Sequence, residues 1–140
     1  MGLVYLLDTN IISEPAKPNP NSAVLKKIQK HQNEIAISSI TWHELLFGYQ
    51  RLPESKKKER IGGYLNEAIQ RKIAILEYGG DSAEIHANER ARLVADGLTP
   101  SFADGQIAAI AQSTNLILVT RNTQDFKNFS EITVENWFEE

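Results

Sequence analysis

Short apolar runs that end abruptly at a polar residue alternate with longer amphipathic stretches along this chain. Val4–Leu7 ends at Asp8, and Leu116–Val119 ends at Thr120. Short buried runs separated by helical stretches are typical of parallel strands joined by helices. The pattern therefore predicts a three-layer α/β/α sandwich with a mostly parallel central sheet. The expected strands are Val4–Leu7, Ile35–Ile37, Ile73–Leu76, Leu116–Val119 and a short one near Ile132–Val134.

Helical periodicity fills the intervals between these strands. Pro53 suits the first position of a helix, and Gly62-Gly63 weakens the middle of that helix, so a kink or break is expected there. A chain of 140 residues is expected to form one domain, residues 1–140. The expected helices are a turn at Ile11–Glu14, then Ser22–His31, Ser39–Arg51, Glu54–Arg71, Ser82–Ala95 and Ser101–Ser113.

Composition indicates the cellular compartment and excludes some kinds of binding site. The chain has no cysteine, which excludes disulfides and thiolate metal sites. No apolar run approaches the roughly 20 residues of a membrane span, and the N-terminus lacks the cationic start of a signal peptide. We therefore expect a cytoplasmic protein with no membrane partner. The net charge of −3 argues mildly against a large basic nucleic-acid surface.

Carboxylates and one amide follow the predicted strands or begin the predicted helices. They are Asp8, Glu44, Asp104, and Asn122 with Asp125. Sites in an open parallel sheet form just outside the carboxyl ends of the strands, so these side chains are expected to meet there. Gathered acids repel one another unless a cation lies between them, and Mg²⁺ prefers oxygen ligands. The pattern indicates a metal-dependent phosphoryl-transfer site.

Helix capping is the main alternative for these acids. Asp8 could be a plain N-cap, and both Thr41 to Glu44 and Ser101 to Asp104 fit a capping box. Side-chain direction argues against capping alone, because Glu44 and Asp104 share a helix face with apolar or small residues. Both carboxylates are therefore expected on the inward-facing stripe, where an unpaired acid is costly. Those neighbours are Ile40, Phe47 and Gly48 for Glu44, and Ile107, Ala108 and Ala111 for Asp104.

Several other polar residues have a local alternative. Asn10 could be a turn residue or could position a carboxylate or water, and local capping is favoured for Thr9 and Thr120. Asp125 could be an ordinary solvated turn acid. His31 and His86 are expected in polar surroundings, and the histidines show no zinc-binding spacing.

Four segments in order, with the tail, resemble the PIN-domain nucleases and, within them, the VapC toxins of bacterial toxin–antitoxin pairs. Any one segment is weak evidence for the family, but the set spans nearly the whole chain. The segments are Leu6–Asn10, Ser38–Gly48, Asp104–Ala111 and Leu118–Phe126, and the tail is Val134–Trp137.

The resemblance assigns the family's first three acids to Asp8, Glu44 and Asp104. The fourth position, often Asp, falls on Asn122, so Asp125 or Asn122 is expected to complete the site. On this basis Asp8 and Asp104 would hold Mg²⁺ or Mn²⁺ with help from Glu44. The resemblance also implies an endoribonuclease, often homodimeric, that is neutralised by a cognate antitoxin.

Two further questions stay open at this level. Five apolar residues on two successive helices form either core or a groove for an antitoxin helix: Leu45, Leu46, Tyr49, Tyr64 and Leu65. The alternatives to a nuclease are a catalytically inactive PIN-like scaffold that binds RNA or protein, favoured only by Asn122, and a Mg²⁺-binding phospho-receiver domain.

Overall fold

The computed structural model describes residues 2–139, and five parallel strands form its centre. The strands are β1 (Tyr5–Leu7), β2 (Ile35–Ser38), β3 (Ala74–Leu76), β4 (Ile117–Val119) and β5 (Val134–Glu135). Their spatial order is β3-β2-β1-β4-β5, and every neighbouring pair is parallel.

Helices cover both faces of this sheet, which confirms the predicted three-layer α/β/α sandwich. The helices are α1 (Thr9–Ile12), α2 (Ser22–Lys30), α3 (Ser39–Gln50), α4 (Lys56–Tyr64), α5 (Gly80–Ala95) and α6 (Phe102–Thr114). Short 3-10 turns occur at Glu14–Ala16 and Thr123–Phe126, and a π-helical segment, Leu65–Gln70, continues α4.

The central strand β1 is apolar on both sides because both of its faces are covered. Leu6 and Leu7 are fully buried and point to opposite faces, as successive residues of a strand do. Leu6 packs in a cluster with α5 and α6, which includes Leu93 and Ile107. Leu7 packs in a second cluster that includes Trp137. Such two-sided burial explains why the strand sequences are continuous apolar runs.

The strand order places a crevice at the carboxyl end of β1. The chain runs outward from β1 through β2 to β3, then returns to place β4 on the other side of β1. Ligand sites in open α/β sheets form at such a reversal of strand order. Asp8 follows β1 and Thr120 follows β4, so both residues lie at this edge.

The helix expected from Glu54 to Arg71 differs from the prediction in two respects. It begins at Lys56, because Ser55 rather than Pro53 forms its boundary and accepts a hydrogen bond from the Lys58 amide at 3.1 Å. Its regular geometry changes at Leu65 instead of at the two glycines. Gly62 has a packing role there, since a Cβ at that position would lie 2.8 Å from the Tyr49 ring.

Smaller differences concern the C-terminal strand. Pairing begins at Val134, two residues later than expected, with Val134 opposite Leu118. Ile132 lies before the strand and packs against the α5–α6 side of the core. Across residues 2–139, no helix has the length and apolar character needed to cross a membrane.

Candidate active site

Asp8 is the most deeply placed acid of the crevice. Its backbone N–H donates to the Val119 carbonyl at 2.8 Å, which ties the end of β1 to the end of β4. One carboxylate oxygen accepts from the Thr9 amide at 2.8 Å, and the other accepts from the Thr120 hydroxyl at 2.8 Å. The residue is only 8% exposed, so the carboxylate is fixed by protein groups more than by water.

The surroundings of Asp8 disfavour its negative charge. Burial raises the pKa of this carboxyl above its ordinary value, and the nearby charges of Glu44 and Asp104 raise it further. The hydrogen bonds from Thr120 and Thr9 act in the opposite direction. The net increase means that a positive charge in the crevice would relieve an unfavourable interaction.

Glu44 lies in the middle of α3, so the capping box proposed for Thr41 to Glu44 is wrong. Ser38 caps this helix, and its Oγ accepts a hydrogen bond from the Thr41 amide at 3.0 Å. The expected inward direction of Glu44 is also wrong, because the buried positions of α3 are Thr41 and Leu45. Glu44 is exposed at the crevice, where it accepts a hydrogen bond from the Thr9 hydroxyl at 2.7 Å.

Asp104 lies in the first turn of α6. Ser101 caps this helix and accepts a hydrogen bond from the Asp104 amide at 3.1 Å, which is the serine half of the capping box considered from the sequence. The side chain is half-buried at the solvent end of a stripe whose deeper positions include Ile107 and Ala108. Burial raises the pKa of Asp104, and the negative charge of Asp125 contributes to the same increase.

The hydroxyls of Thr9 and Thr120 bind carboxylates from other parts of the chain, and the Thr120 hydroxyl oxygen also makes the local contact that the sequence favoured by accepting from the Asn122 amide. Thr9 donates to Glu44, and the fully buried Thr120 donates to Asp8. Asn10 supports the same crevice, because its side-chain carbonyl accepts from the Arg121 amide at 3.0 Å and its amide donates to Thr120 at 3.4 Å.

Asn122 and Asp125 lie at the outer rim of the crevice. The Asn122 backbone amide donates to the Thr120 hydroxyl oxygen at 3.1 Å, and its side chain is exposed. Asp125 is exposed in the 3-10 turn Thr123–Phe126, and its charge acts on Asp104. The structure therefore brings both residues near the three acids without making either a buried part of the group.

The donor chemistry of the crevice suits a hard divalent cation. The acids that influence one another supply only oxygen atoms, and Mg²⁺ and Mn²⁺ prefer oxygen ligands. Within the described chain, no three His, Asp or Glu side chains are grouped closely enough to hold an ion between them. Mg²⁺ usually keeps several waters and uses one or two carboxylates, so this looser arrangement is compatible with it.

The structure also contains a polar pair, a buried histidine with a half-buried tyrosine, that the sequence did not reveal. His86 is 2% exposed, and its Nδ1 lies 2.7 Å from the Tyr78 hydroxyl, so its predicted polar surroundings are wrong. His31 contacts the rings of Tyr5 and Trp137, and its Nδ1 lies 2.7 Å from the Glu34 carboxylate, so it has a polar partner as predicted. The spacing of the buried Ser82, His86 and Leu93 on α5 was the available signal for His86.

Comparison with known proteins agrees with this architecture. The PIN domain family matches residues 5–132. The chain is 33% identical to the tRNA(fMet)-specific endonuclease VapC of Shigella flexneri, over 96% of this chain and 98% of the relative. It is 36% identical to Toxin FitB of Neisseria gonorrhoeae, over 88% of this chain and 91% of the relative.

Solved structures give the same result. The crystal structure of FitAcB from Neisseria gonorrhoeae matches with a TM-score of 0.89 and 33% identity, covering 98% of this chain and 100% of that one. VapBC2 from Rickettsia felis, bound to a DNA fragment from its promoter, matches with a TM-score of 0.82 and 29% identity, covering 96% and 99%. The chain belongs to the PIN-domain family, with VapC-type ribonucleases among its relatives.

Proposed function

We propose that this chain is a Mg²⁺- or Mn²⁺-dependent endoribonuclease and the toxin of a toxin–antitoxin pair. The observation that carries the proposal is the grouping of Asp8, Glu44 and Asp104 in one crevice, where burial and, to a smaller extent, the repulsion of neighbouring acids raise the pKa of Asp8 and Asp104. Relatives named as an endonuclease and as a toxin support the same activity. RNA is the proposed substrate, and the cytoplasm, where RNA is present, is the proposed location.

In this proposal the acids have separate roles. Asp8 and Asp104 would hold the cation with help from Glu44, directly or through a water, and Glu44 or a neighbouring acid would orient the attacking water as a general base. A bound Mg²⁺ or Mn²⁺ would supply positive charge against the scissile phosphate and help to activate water. Thr9 and Thr120 hold their carboxylates in place through the hydrogen bonds described above.

Asp125 is the stronger candidate to replace the acid that the family often has at Asn122. Its charge already acts on Asp104, whereas the Asn122 side chain is neutral. Asn122 would then stabilise the turn through the hydrogen bond that its backbone N–H donates to the Thr120 hydroxyl oxygen, and its side chain would position a water. Comparing Asp125→Asn with Asn122→Ala tests this assignment, because the larger loss of cleavage identifies the residue that completes the site.

The central test uses charge removal without a large change in shape. Asp8→Asn and Asp104→Asn should each abolish RNA cleavage while circular dichroism remains that of the folded protein. EDTA should give the same loss, and added Mg²⁺ or Mn²⁺ should restore activity to the unmodified chain. Glu84→Gln, an exposed acid on α5, is the matched control and should cleave normally.

Normal cleavage by either crevice variant would refute the mechanism. The alternative of an inactive PIN-like scaffold, which only Asn122 favours, predicts a different set of results. A scaffold would bind RNA or protein without cutting RNA at any divalent ion concentration. Metal titration by calorimetry followed by the cleavage assay separates these two outcomes.

An apolar groove beside the crevice is the proposed binding site for an antitoxin helix. It forms a cavity of about 330 Å³ between α1, α3 and α4. Of the five apolar residues considered from sequence, Leu45 and Leu65 are buried while Tyr49 and Tyr64 line the groove only partly covered. Glu44 and Thr9 also line the same cavity. An occupant would therefore reach the acids and block RNA.

Gly48 offers a test of this groove, because a Cβ there would meet no atom within 4 Å. Gly48→Trp should fill the groove and prevent copurification with the protein of a neighbouring reading frame, while the chain still folds. Gly63→Trp is the matched control, since Gly63 is exposed on α4 and its Cβ position is equally open. Equal partner retention by both variants would contradict the proposed location.

Residues 1–140 would act as one nuclease domain that forms a homodimer. Relatives of full matching length and solved structures named FitAcB and VapBC2 support a toxin that assembles with other chains. Light scattering on the purified chain measures the assembly, and a monomer at all concentrations would overturn the homodimer.

A further inference from the structure

A second pocket opens on the opposite side of Glu44 from the antitoxin groove. It lies between α3 and α6 and has a volume of about 440 Å³, which is within the range of small-molecule sites. Ser39 and His43 contribute to it from α3, Gln106 from α6, and Tyr78 from the segment after β3. Because Glu44 also lines it, this α3–α6 pocket is continuous with the acidic crevice.

The polar groups of the α3–α6 pocket are available to a ligand. Tyr78 is engaged with His86, and Glu44 accepts from Thr9. The side chains of Ser39, His43 and Gln106 line the pocket, where His43 is exposed and the other two are half-buried. A carboxamide, an imidazole and a hydroxyl together supply both donors and acceptors, which the edge of a nucleobase requires.

The Tyr78 side of the pocket is held in place by its contact with the buried His86 ring. The His86 ring that binds the Tyr78 hydroxyl packs against Gly105 on α6, and a Cβ at position 105 would collide with that ring. The ring also lies 4.8 Å from Phe102 by centroids. Tyr78 is therefore fixed relative to Gln106, one residue beyond Gly105, and the pocket has a preformed shape.

An exposed aromatic group lies next to the pocket along α3. Phe47 is 60% exposed, and its ring centroid lies 6.3 Å from that of His43. The guanidinium of Arg51 lies 5.6 Å from the same Phe47 ring. Exposed aromatic rings with nearby arginine are the surfaces on which single-stranded RNA bases stack.

We infer that the α3–α6 pocket binds one nucleobase of the RNA strand next to the scissile phosphate, with Gln106 as the residue that determines base preference. This inference rests on the proposed ribonuclease function for the identity of the strand. Gln106 reads the edge of the base, His43 and Ser39 supply further polar contacts, and Phe47 stacks with the next base along the strand.

Nucleoside binding tests the pocket independently of cleavage. Adenosine, guanosine, cytidine and uridine are titrated separately, without divalent ions, while the side-chain amide of Gln106 and the ring of His43 are followed by NMR. We expect shifts at both residues with a subset of the nucleosides. Loss of a base-edge contact costs roughly 5- to 150-fold in discrimination. Gln106→Ala should therefore lower the affinity for the preferred nucleoside by a factor within that range.

Gln112→Ala is the matched control, because Gln112 lies on the same helix outside the pocket. It should bind nucleosides as the unmodified chain does. The inference is overturned by an absence of shifts at Gln106 and His43 with all four nucleosides at millimolar concentration. Equal weakening by Gln106→Ala and Gln112→Ala would overturn it as well.

Cleavage of a randomised RNA pool gives the second readout. Sequencing of the cut ends should show a base preference at one position beside the cut, which Gln106→Ala relaxes and Gln112→Ala retains. A preference left unchanged by Gln106→Ala would overturn the inference. If the unmodified chain cuts no RNA, the proposed function fails, whereas the nucleoside titration still decides whether the pocket binds a base.

Discussion

Replacing Thr120 by valine should destabilise the protein in a manner that depends on pH. Thr120 is fully buried, and its hydroxyl donates to the Asp8 carboxylate at 2.8 Å. Valine has nearly the same shape, so the packing is retained while the hydrogen bond is lost. Water cannot replace the hydroxyl at a fully buried position, and the Asn122 amide also loses its acceptor.

The size of the effect follows from the charge on Asp8. A hydrogen bond to a charged group contributes about 1.5–3 kcal/mol, compared with about 0.5–1.5 kcal/mol for a neutral pair. For a chain of 140 residues, the larger loss corresponds to a melting temperature lower by about 5–10 °C. The Thr120 bond lowers the pKa of Asp8, so it stabilises the ionised carboxylate more than the protonated acid. The loss should therefore be larger at neutral pH than in acid.

Urea unfolding at about pH 7 and about pH 4, in the presence of EDTA, measures this difference. Thr120→Ser keeps the hydroxyl and removes one methyl, so it should cost about 0.8 kcal/mol at both pH values. The claim that this hydroxyl stabilises a charged Asp8 would be refuted if the loss of unfolding free energy in Thr120→Val were the same at both pH values, or equal to that of the serine variant.

Three other predictions use the same protein. Without divalent ions, Asp104→Asn should melt at a higher temperature than the unmodified chain at neutral pH. The pKa of Asp104 is raised in the folded state, so the folded state holds the proton more tightly than the unfolded state, and stability falls as pH rises from the ordinary carboxyl pKa through the raised one. A lower melting temperature by calorimetry would contradict this prediction. Mg²⁺ at about 100 times its Kd should stabilise the folded chain by about 2.7 kcal/mol, and differential scanning fluorimetry should detect no such increase for Asp8→Asn. Ser38→Ala removes the buried cap of α3 and should cost about 1–2 kcal/mol in urea unfolding; an unchanged midpoint would show that another group caps Thr41.

Most of the fold could be predicted because its strands carry a strong local signal. Leu6 and Leu7 are buried on opposite faces of a parallel sheet, and this leaves an uninterrupted apolar run in the sequence. The start of α4 after Ser55 was harder to predict, since Pro53 and Ser55 are both good helix-start residues and only the serine accepts the hydrogen bond from Lys58. The π-helical segment depends on burying Leu65 and Ile69 together, which is a tertiary effect.

The grouping of Asp8, Glu44 and Asp104 in one crevice could be expected from the sequence, and the geometry of the crevice was less predictable. Asp8 follows a strand, and Asp104 follows the cap of a helix. Both features are visible in the sequence. The exposed position of Glu44 depends on which stripe of α3 faces the sheet, and a stripe displaced by one residue changes that answer. The Tyr78–His86 pair joins a residue just before α5 to one within it, so the contact depends on how the chain enters that helix, and the lone histidine gave little indication of it.

The pairing of β1 with β4 means that the two ends of the polypeptide must meet before the crevice exists. The Asp8 amide is held by Val119 and its carboxylate by Thr120, more than a hundred positions later. A product of premature termination that stops before β4 would carry Asp8, Glu44 and Asp104 and yet lack the partners that hold Asp8. On the proposed function, such fragments are expected to be inactive, because Asp8 has neither its Val119 nor its Thr120 hydrogen-bond partner.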